Sequence, residues 1–243
     1  MCFSLSPKLC YRAPMLVDVV IPALNEEASL PKVLADLRDP RIRTVFVADN
    51  GSTDRTAEVA RAAGARVVSA PQRGYGAACL AALAEVRRDP PDTVLFVDGD
   101  YSDFPEEASL LLDAIEQGAD LVIGSRNLGG AERGALMPVA RFGNWLSTRL
   151  IDRMWGVAFT DLGPFRAVRW QALERLEMVD RDFGWTVEMQ VRAAARGLVC
   201  REVGVRYRAR IGQSKVSGTV RGSYRAGKKI LYVIAREKLS EML

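Results

Sequence analysis

The chain has 243 residues, 49% of them hydrophobic and 26% charged, which is enough for one large α/β domain. It contains no histidine, which excludes a Ser–His–Asp hydrolase, a histidine general base and a histidine-ligated metal site. The formal net charge is +4, but from Arg201 onward eleven Lys/Arg stand against three Glu, so an acidic body carries a basic tail. Such a tail indicates either a polyanionic partner, phosphate or an anionic lipid surface, or a solvated basic face.

The cysteines and the hydropathy pattern predict a cytoplasmic protein. The four cysteines are scattered without a CxxC pair, as expected of reduced thiols. Residues 1–14 contain no apolar run typical of a signal peptide, and Met15 is a second candidate start. No segment approaches the roughly 20 apolar residues of a transmembrane helix. We expect an N-terminal extension over residues 1–14, a domain over 15–219 and a helix over 220–243.

Short apolar, β-branched runs alternate with helical stretches in the first half of the chain. The predicted strands are Val17–Ile21, Thr44–Ala48, Arg66–Ser69, Thr93–Val97 and Asp120–Ile123, and the predicted helices are Ala28–Leu37, Thr56–Ala63, Gly76–Val86 and Glu106–Glu116. This alternation predicts an α/β fold with a doubly wound, mainly parallel sheet. Ligands of such sheets bind beyond the carboxyl ends of the strands.

The second half is less regular. It predicts a surface loop at Leu128–Met137, helices at Val139–Met154 and Thr186–Ala195, and strands at Pro164–Val168 and Val199–Tyr207. The tail predicts an amphipathic helix, with Ile230, Val233 and Ile234 on one face and Lys229 and Arg236 on the other. This helix is able to lie in a lipid interface, to pack on the body or to form a dimer contact.

The strongest chemical signal is Asp98-Gly99-Asp100 at the end of a buried strand. Alternation along an extended chain turns both carboxylates to one side, where a divalent cation can sit between them and a diphosphate. Mg²⁺ and Mn²⁺ favour such oxygen ligands. The alternative is a pair of loop aspartates beside a helix cap, and we expect Asp103 to be the N-cap of the helix that follows.

Four ordered motifs carry a family resemblance: residues 22–26, Asp49-Asn50-Gly51-Ser52, Asp98-Gly99-Asp100 and Gly212-Gln213-Ser214-Lys215. Together they resemble family 2 glycosyltransferases of the GT-A fold, and most of all the dolichyl-phosphate mannose and glucose synthases. The resemblance spans about residues 17–222. It implies a nucleoside-diphosphate-sugar donor and Mg²⁺ or Mn²⁺ as cofactor.

The resemblance also implies the donor site residues. The nucleotide would be bound by Pro22, Leu24, Glu26, Asp49, Gly51, Ser52, Arg73, Gly74, Ala77, Asp98 and Gly99. Asp98 and Asp100 would hold the metal, and Arg126 would lie near the phosphates of donor or acceptor. The family usually places Gln where this chain has Ser102, so water or Asp103 would complete the metal shell.

Further candidate catalytic residues follow in the second half. Asp161 and Glu188 belong to the region that faces donor sugar and acceptor in relatives, although Glu188 also suits the first turn of a helix. Trp185 is able to stack on a sugar or to belong to the core. Arg210 and Lys215 form either a phosphate clamp or a solvated basic turn.

We therefore predict an inverting transfer of a hexose from a UDP- or GDP-sugar to a polyprenyl- or dolichyl-type lipid phosphate. Such an acceptor is already an anion and needs no protein base, whereas a hydroxyl acceptor would need Asp161 or Glu188. A sugar nucleotidyltransferase and a non-catalytic nucleotide-binding module are the alternatives. We expect no nucleic-acid partner, and contact through the C-terminal helix with the cytoplasmic face of a membrane.

Overall fold

One mixed α/β body is formed by residues 14–212 and 220–241, which the computed structural model describes. Its seven-stranded sheet comprises β1 (Val17–Ala23), β2 (Ile42–Asp49), β3 (Arg66–Ser69), β4 (Thr93–Phe96), β5 (Leu121–Ser125), β6 (Arg166–Arg169) and β7 (Cys200–Gly204). The predicted N-terminal extension up to residue 13, Lys215 and the last two residues of the tail lie outside the described residues.

The helices follow the apolar spacing of the sequence. They are α1 (Leu30–Asp36), α2 (Thr56–Ala62), α3 (Tyr75–Val86), α4 (Ala108–Glu116), α5 (Arg126–Gly129), α6 (Pro138–Trp155), α7 (Trp170–Leu176), α8 (Trp185–Ala195) and α9 (Val220–Ser240), with a 3₁₀ turn at Pro105–Glu107. Every element predicted up to residue 124 is present, with ends shifted by at most two residues. The sequence did not predict α5 and α7.

The strand order is β3-β2-β1-β4-β6-β5-β7. The paired strands run parallel except β6, which is antiparallel to both β4 and β5. The predicted mainly parallel, doubly wound sheet is therefore confirmed. From β1 the chain builds outward to β2 and β3, and then crosses back to β4 on the other side. The carboxyl ends of β1 and β4 consequently flank the crevice where such sheets bind ligands.

Two apolar layers enclose the sheet because alternate strand residues point to opposite faces. Val20 and Phe96 pack with α3, α7, α8 and α9 on one face. Val19 and Leu95 pack with α1 and α4 on the other. Both faces are thus covered, as a parallel sheet requires.

The C-terminal helix α9 is present as predicted and packs on the body against α6 and α8. Val233 and Ile234 of its predicted apolar face are buried in the core layer that includes α8. The apolar face of α9 therefore packs against the body of the protein. In the described part of the chain, no helix combines the length and hydropathy needed to cross a bilayer.

Candidate functional site

A cavity of about 590 Å³ opens at the carboxyl ends of β1 and β4. The chain segments around it come from the ends of β1, β2 and β4, from the start of α3, from the segment before α8 and from the segment after β7. The predicted site residues that line it are Pro22, Leu24, Glu26, Arg73, Gly74, Asp98, Gly99, Asp100 and Arg210. The fold therefore brings together residues that are up to 188 positions apart (210 − 22).

Asp98 stands at the end of β4, on the wall of the cavity. Its Oδ1 accepts a hydrogen bond from the Tyr75 hydroxyl at 3.0 Å. Burial, together with the neighbouring negative charge of Asp100, raises the pKa of Asp98 to about 7. The charges of Arg210 and Arg126 offset this rise only in part, and a further cation bound beside Asp98 would favour its charged form.

Asp100 is held from two directions. Its Oδ1 accepts hydrogen bonds from the Ser102 amide at 2.9 Å and from the Ser102 hydroxyl at 2.5 Å. Its Oδ2 lies 3.1 Å from Nη1 of Arg210. Ser102, which stands where the family usually has Gln, thus binds a carboxylate of the candidate metal pair.

Asp103 is not the predicted helix cap. Phe104 precedes the 3₁₀ turn, and no side chain caps it. The Asp103 carboxyl is buried instead beside the end of β4, where Oδ2 is 3.5 Å from the amide of Asp98. Its Oδ1 has no hydrogen-bond partner among the described residues. Burial, and then the charges of Asp98 and Asp100, hold the pKa of Asp103 well above its usual range.

The two carboxylates fit a divalent cation that is shared with a ligand. Within residues 14–212 and 220–241, no cluster of three or more Asp, Glu or Cys side chains has the geometry of a complete metal site. Asp98 and Asp100 supply hard oxygen donors, and Mg²⁺ is commonly bound through one or two carboxylates plus substrate phosphates.

The predicted base-binding residues Asp49, Gly51 and Ser52 form a turn beside the cavity rather than its lining. The Ser52 amide donates to Oδ1 of Asp49 at 2.9 Å. A Cβ on Gly51 would stand 3.6 Å from the guanidinium carbon of Arg73, so these residues are neighbours. Asn50, which the sequence analysis did not single out, does line the cavity.

Asn50 fastens the loop before α3. Its Nδ2 donates to the carbonyls of Ala70 at 2.9 Å and Gln72 at 2.6 Å, and its Oδ1 accepts from the Gly74 amide at 2.9 Å. All three contacts are to backbone groups. Asn50 therefore positions the loop that carries Arg73, and its place within the Asp-Asn-Gly-Ser motif was the signal that could have identified it.

Gly74 and Gly76 allow another part of the chain to approach α3. A Cβ on Gly74 would overlap the carbonyl oxygen of Arg181, and a Cβ on Gly76 would overlap that of Asp180. The amide of Ala77 donates to the same Arg181 carbonyl at 2.9 Å. These glycines thus allow residues 180–182 to pack against the start of α3.

Residues 181–183 complete the cavity wall. They carry Arg181, Asp182 and Phe183, and Nη1 of Arg181 donates to Oε1 of Gln72 at 2.8 Å. Phe183 begins the stretch up to Glu188 that the family resemblance placed near donor sugar and acceptor, whereas Arg181 and Asp182 were not predicted. They lie between α7 and α8 without a motif of their own, so only the fold shows their proximity to the end of β4.

Arg126 and Asp161 are brought together, but away from the cavity lining. Nε and Nη2 of Arg126 donate to the two carboxylate oxygens of Asp161, each at 2.7 Å, and the Arg126 amide donates to Oδ2 at 2.8 Å. The guanidinium also lies 5.0 Å from the ring centre of Tyr207. Arg126 and Asp161 thus form a bidentate ion pair, and the charge of Arg126 also acts to lower the pKa of Asp98 and of Asp103.

Glu188 is fully buried in α8 and does not line the cavity. Its Oε2 accepts from the amides of Val179 at 3.1 Å and Asp180 at 2.8 Å. Its Oε1 lies 2.7 Å from Nη2 of Arg236 in α9 and 3.3 Å from Nη2 of Arg192. These contacts assign Glu188 a structural role between the cavity wall and the C-terminal helix.

Trp185 belongs to the core and not to the cavity wall. Its side chain is buried and meets the Phe96 ring edge to face, with ring centres 6.0 Å apart. Phe96 is the last residue of β4. Of the two interpretations that the sequence left open for Trp185, the geometry favours packing beneath the site.

Known proteins resemble this chain over most of its length. The model of "Glycosyl transferase family 2" matches residues 18–176. An uncharacterised glycosyltransferase of Mycobacterium tuberculosis is 41% identical over 211 residues, covering 85% of this chain and 92% of its own. A dolichyl-phosphate hexose transferase of Haloferax volcanii is 36% identical over 228 residues, covering 91% of this chain and 95% of its own.

Among solved structures, the glucosyl-3-phosphoglycerate synthase of M. tuberculosis, crystallised with Mn²⁺, UDP-glucose and phosphoglyceric acid, has a TM-score of 0.74. It is 23% identical, and the match covers 92% of this chain and 80% of the other. At this identity the likeness shows the fold. The predicted GT-A fold is thereby confirmed.

Proposed function

The chain belongs to glycosyl transferase family 2, and on that basis we propose that it transfers a hexose from a UDP- or GDP-sugar to a lipid phosphate of the polyprenyl type. The transfer inverts the anomeric centre. An acceptor phosphate oxygen forms the new bond to the anomeric carbon while the bond from that carbon to the donor diphosphate breaks. The nucleoside diphosphate leaves with the bonding electron pair.

One observation carries this proposal: Asp98 and Asp100 share the wall of a cavity with Arg210 at the carboxyl ends of β1 and β4. Carboxylates beside a cation suit a ligand that brings both phosphate and a divalent metal. The cavity volume of about 590 Å³ lies within the range of sites for ligands of nucleotide-sugar size. Mg²⁺ or Mn²⁺, when bound, would neutralise the charge that develops on the leaving diphosphate.

The availability of carboxylates favours a phosphate acceptor over a hydroxyl. A hydroxyl must lose its proton to a base, whereas a phosphate monoester is already an anion at neutral pH. The two predicted bases are engaged elsewhere, Asp161 with Arg126 and Glu188 with Arg236. The Haloferax relative bears the name of an enzyme that acts with dolichyl phosphate, which agrees with this preference.

A hydroxyl acceptor is the second candidate, because Asp182 lines the cavity and bears a carboxylate that is able to act as the base. Replacement by Asn separates the two possibilities. With a phosphate acceptor, Asp182→Asn should retain turnover within a factor of a few. With a hydroxyl acceptor, loss of the base should lower kcat by about a hundredfold or more.

An exposed aromatic surface on α6 supports a contact between the protein and a membrane. Phe142 and Trp145 are 62% and 56% exposed, with ring centres 5.8 Å apart, and Met137 and Val139 on the same stretch are also exposed. Arg141 lies among them and is exposed. Aromatic and aliphatic side chains beside a cation suit the interface of an anionic bilayer. We therefore assign the membrane contact to α6, at the cytoplasmic face, rather than to the apolar face of α9.

The test is a donor-binding titration followed by a transfer assay. UDP, GDP and their hexose derivatives are titrated by calorimetry with Mn²⁺, with Mg²⁺ and with EDTA. We expect one nucleoside diphosphate to bind, and only with metal, and the Asp100→Ala variant to lose that binding. The labelled sugar should then appear in polyprenyl phosphate with inverted anomeric configuration. Failure of both nucleotides to bind, or sugar transfer at the wild-type rate by folded Asp100→Ala, would reject the proposal.

A further inference from the structure

Arg210 spans the cavity mouth between two carboxylates from different strands. Its Nη2 lies 3.2 Å from Oε1 of Glu26, which follows β1, and its Nη1 lies 3.1 Å from Oδ2 of Asp100, which follows β4. Glu26 and Asp100 are nearly buried, while the Arg210 side chain is 27% exposed. One guanidinium thus ties together two acidic groups on opposite sides of the crevice.

The backbone that carries Arg210 is fixed along the segment after β4. The Ile211 amide donates to the carbonyl of Asp100 at 3.0 Å, and the Arg208 amide donates to that of Ser102 at 2.9 Å. The Arg208 guanidinium also lies 3.4 Å from the ring centre of Tyr101. These contacts on both sides hold the main chain, so that Arg210 can change partners by rotating its side chain alone.

The position of Arg210 conflicts with that of a metal on Asp100. Ser102 already occupies Oδ1 of Asp100, and Arg210 occupies Oδ2. A divalent cation at the usual distance of about 2.1 Å from Oδ2 would lie close to the guanidinium, and two cations at that separation repel. The charge of Arg210 would therefore oppose a metal at Asp100 as long as the guanidinium stays in this position.

Arg210 also has an unused hydrogen-bond donor. Its Nε is buried and has no partner among the residues that the structure describes. A guanidinium presents Nε and Nη donors in a planar fork that matches a phosphate. Turned away from Asp100, Arg210 would be able to use that fork on an anion in the cavity.

We propose that Arg210 is an exchangeable counter-cation, which holds Asp100 in the empty enzyme, yields it to the metal when the donor arrives, and then pairs with the donor diphosphate. This inference rests on the proposed donor site. It explains how an acidic crevice stays neutralised between turnovers. It also makes metal and nucleotide binding cooperative, because each helps the other to displace Arg210 from Asp100.

Mn²⁺ binding measured by electron paramagnetic resonance tests the exchange without any activity assay. Free Mn²⁺ is titrated into wild type, Arg210→Gln and Arg210→Lys, first alone and then with saturating UDP or GDP. Without nucleotide, we expect Arg210→Gln to bind Mn²⁺ about two- to fivefold more tightly than wild type, the scale of a partly exposed ion pair. Arg210→Lys, which reaches only one carboxylate, should lie between. Saturating nucleotide should tighten Mn²⁺ binding by wild type. In Arg210→Gln, the nucleotide should produce only a small part of this tightening.

Arg206→Gln is the matched control for a change of net charge. Arg206 lies four residues away and pairs with Glu106 and Glu107 outside the cavity lining. Equal tightening by Arg206→Gln would indicate a general charge effect and overturn the exchange. Equal Mn²⁺ affinity of wild type and Arg210→Gln without nucleotide would overturn it as well. If wild type and every variant fail to bind Mn²⁺ even with nucleotide, the donor site itself is wrong, and both proposals fall.

Discussion

The carboxylate of Glu188 in α8 lies 2.7 Å from the guanidinium of Arg236 in α9, and the same carboxylate accepts two backbone amides of the cavity wall. A second ion pair joins Lys229 of α9 to Asp180 at 2.8 Å. Residues 180–182 in turn seat against the glycines that begin α3. The C-terminal helix is therefore linked to the wall of the candidate donor site through two buried carboxylates.

Glu188→Gln should be markedly more destabilising than Arg236→Gln. The substitution removes a buried carboxylate that Arg192 and Arg236 share, although both arginines retain Glu237, and we expect a loss of about 2 kcal/mol in the free energy of unfolding. After Arg236→Gln, Glu188 retains Arg192 and two amides, so about 1 kcal/mol is expected. Urea unfolding of both variants measures the difference. Equal costs would show that the pair with Arg236 dominates the contacts of Glu188.

Gly76→Ala should displace the cavity wall. The new Cβ would overlap the carbonyl oxygen of Asp180, which belongs to the backbone and cannot turn aside like a side chain. We expect a loss of about 1–3 kcal/mol in stability, as for an overpacked core, and a weakened affinity for the nucleotide. Calorimetric titration with the nucleoside diphosphate, together with thermal unfolding, checks both effects.

Gly143→Ala is the matched control for this substitution. Gly143 lies within α6, and a Cβ there would meet nothing within 4 Å. Replacement of a helical glycine should stabilise the protein by up to about 1 kcal/mol and leave nucleotide affinity unchanged. Normal nucleotide affinity in a folded Gly76→Ala protein would show that residues 180–182 do not shape the donor site.

Asp98 should make the stability of the metal-free protein depend on pH. Its pKa is raised from 3.8 to about 7 in the folded state, so the native protein binds the extra proton more tightly than the unfolded chain. That contribution to stability is fully present below pH 3.8 and is lost as the pH rises to about 7. Above a pH of about 7, the Asp98 carboxylate is ionised and lies beside the negative charge of Asp100, which is unfavourable.

Thermal unfolding in EDTA from pH 5 to pH 8 tests this dependence on Asp98→Asn and wild type. The variant should gain in Tm relative to wild type as the pH rises, because Asn cannot acquire the unfavourable charge. Added Mn²⁺ should reverse the order at pH 8, where the ionised carboxylate is able to bind it. Tm profiles that run parallel in EDTA would contradict the raised pKa.

The double substitution Phe142→Ser, Trp145→Ser should release the protein from anionic vesicles. Both rings are more than half exposed, so their loss should change the free energy of unfolding by less than about 1 kcal/mol. Loss of two aromatic side chains from the lipid interface should lower vesicle partitioning at least about tenfold. Flotation with phosphatidylglycerol vesicles measures it, with Leu110→Ser as an exposed apolar control on α4. Equal flotation of wild type, the double variant and Leu110→Ser would show that α6 does not make the membrane contact.

The strands and helices around the sheet were predictable because local apolar periodicity determines them. β1, β2 and β4 are mainly apolar runs that lead into polar residues, and the sequence correctly placed Asp98 and Asp100 beyond the carboxyl end of β4. The direction of β6 was not predictable, since an antiparallel strand has the same local pattern. α7 was missed because it begins directly after β6, with no turn residue between Arg169 and Trp170 to mark a boundary.

The partners of charged side chains were the least predictable part of the site. Arg126, Asp161 and Glu188 were expected around the substrate, yet each is bound to a side chain 35 or 48 residues away. A charged residue in a motif has the same appearance whether its partner is a ligand or another part of the chain. Only tertiary structure separates the two, as it does for Asp103 and for residues 181–183.

The antiparallel course of β6 has an entropic consequence for the segment between β5 and β6. Ile123 of β5 is paired directly with Arg166 of β6, so the chain leaves the sheet and re-enters it at neighbouring positions. Residues 126–165 thus form a loop between the two strands, and the hydrogen bonds between β5 and β6 fix its two ends. This loop includes α6 with its exposed aromatic surface. For such a loop, doubling the length costs only about 0.6 kcal/mol in closure entropy. This segment, with the exposed surface of α6, is therefore able to change in length at little cost, while β4, which precedes Asp98 and Asp100, remains unchanged.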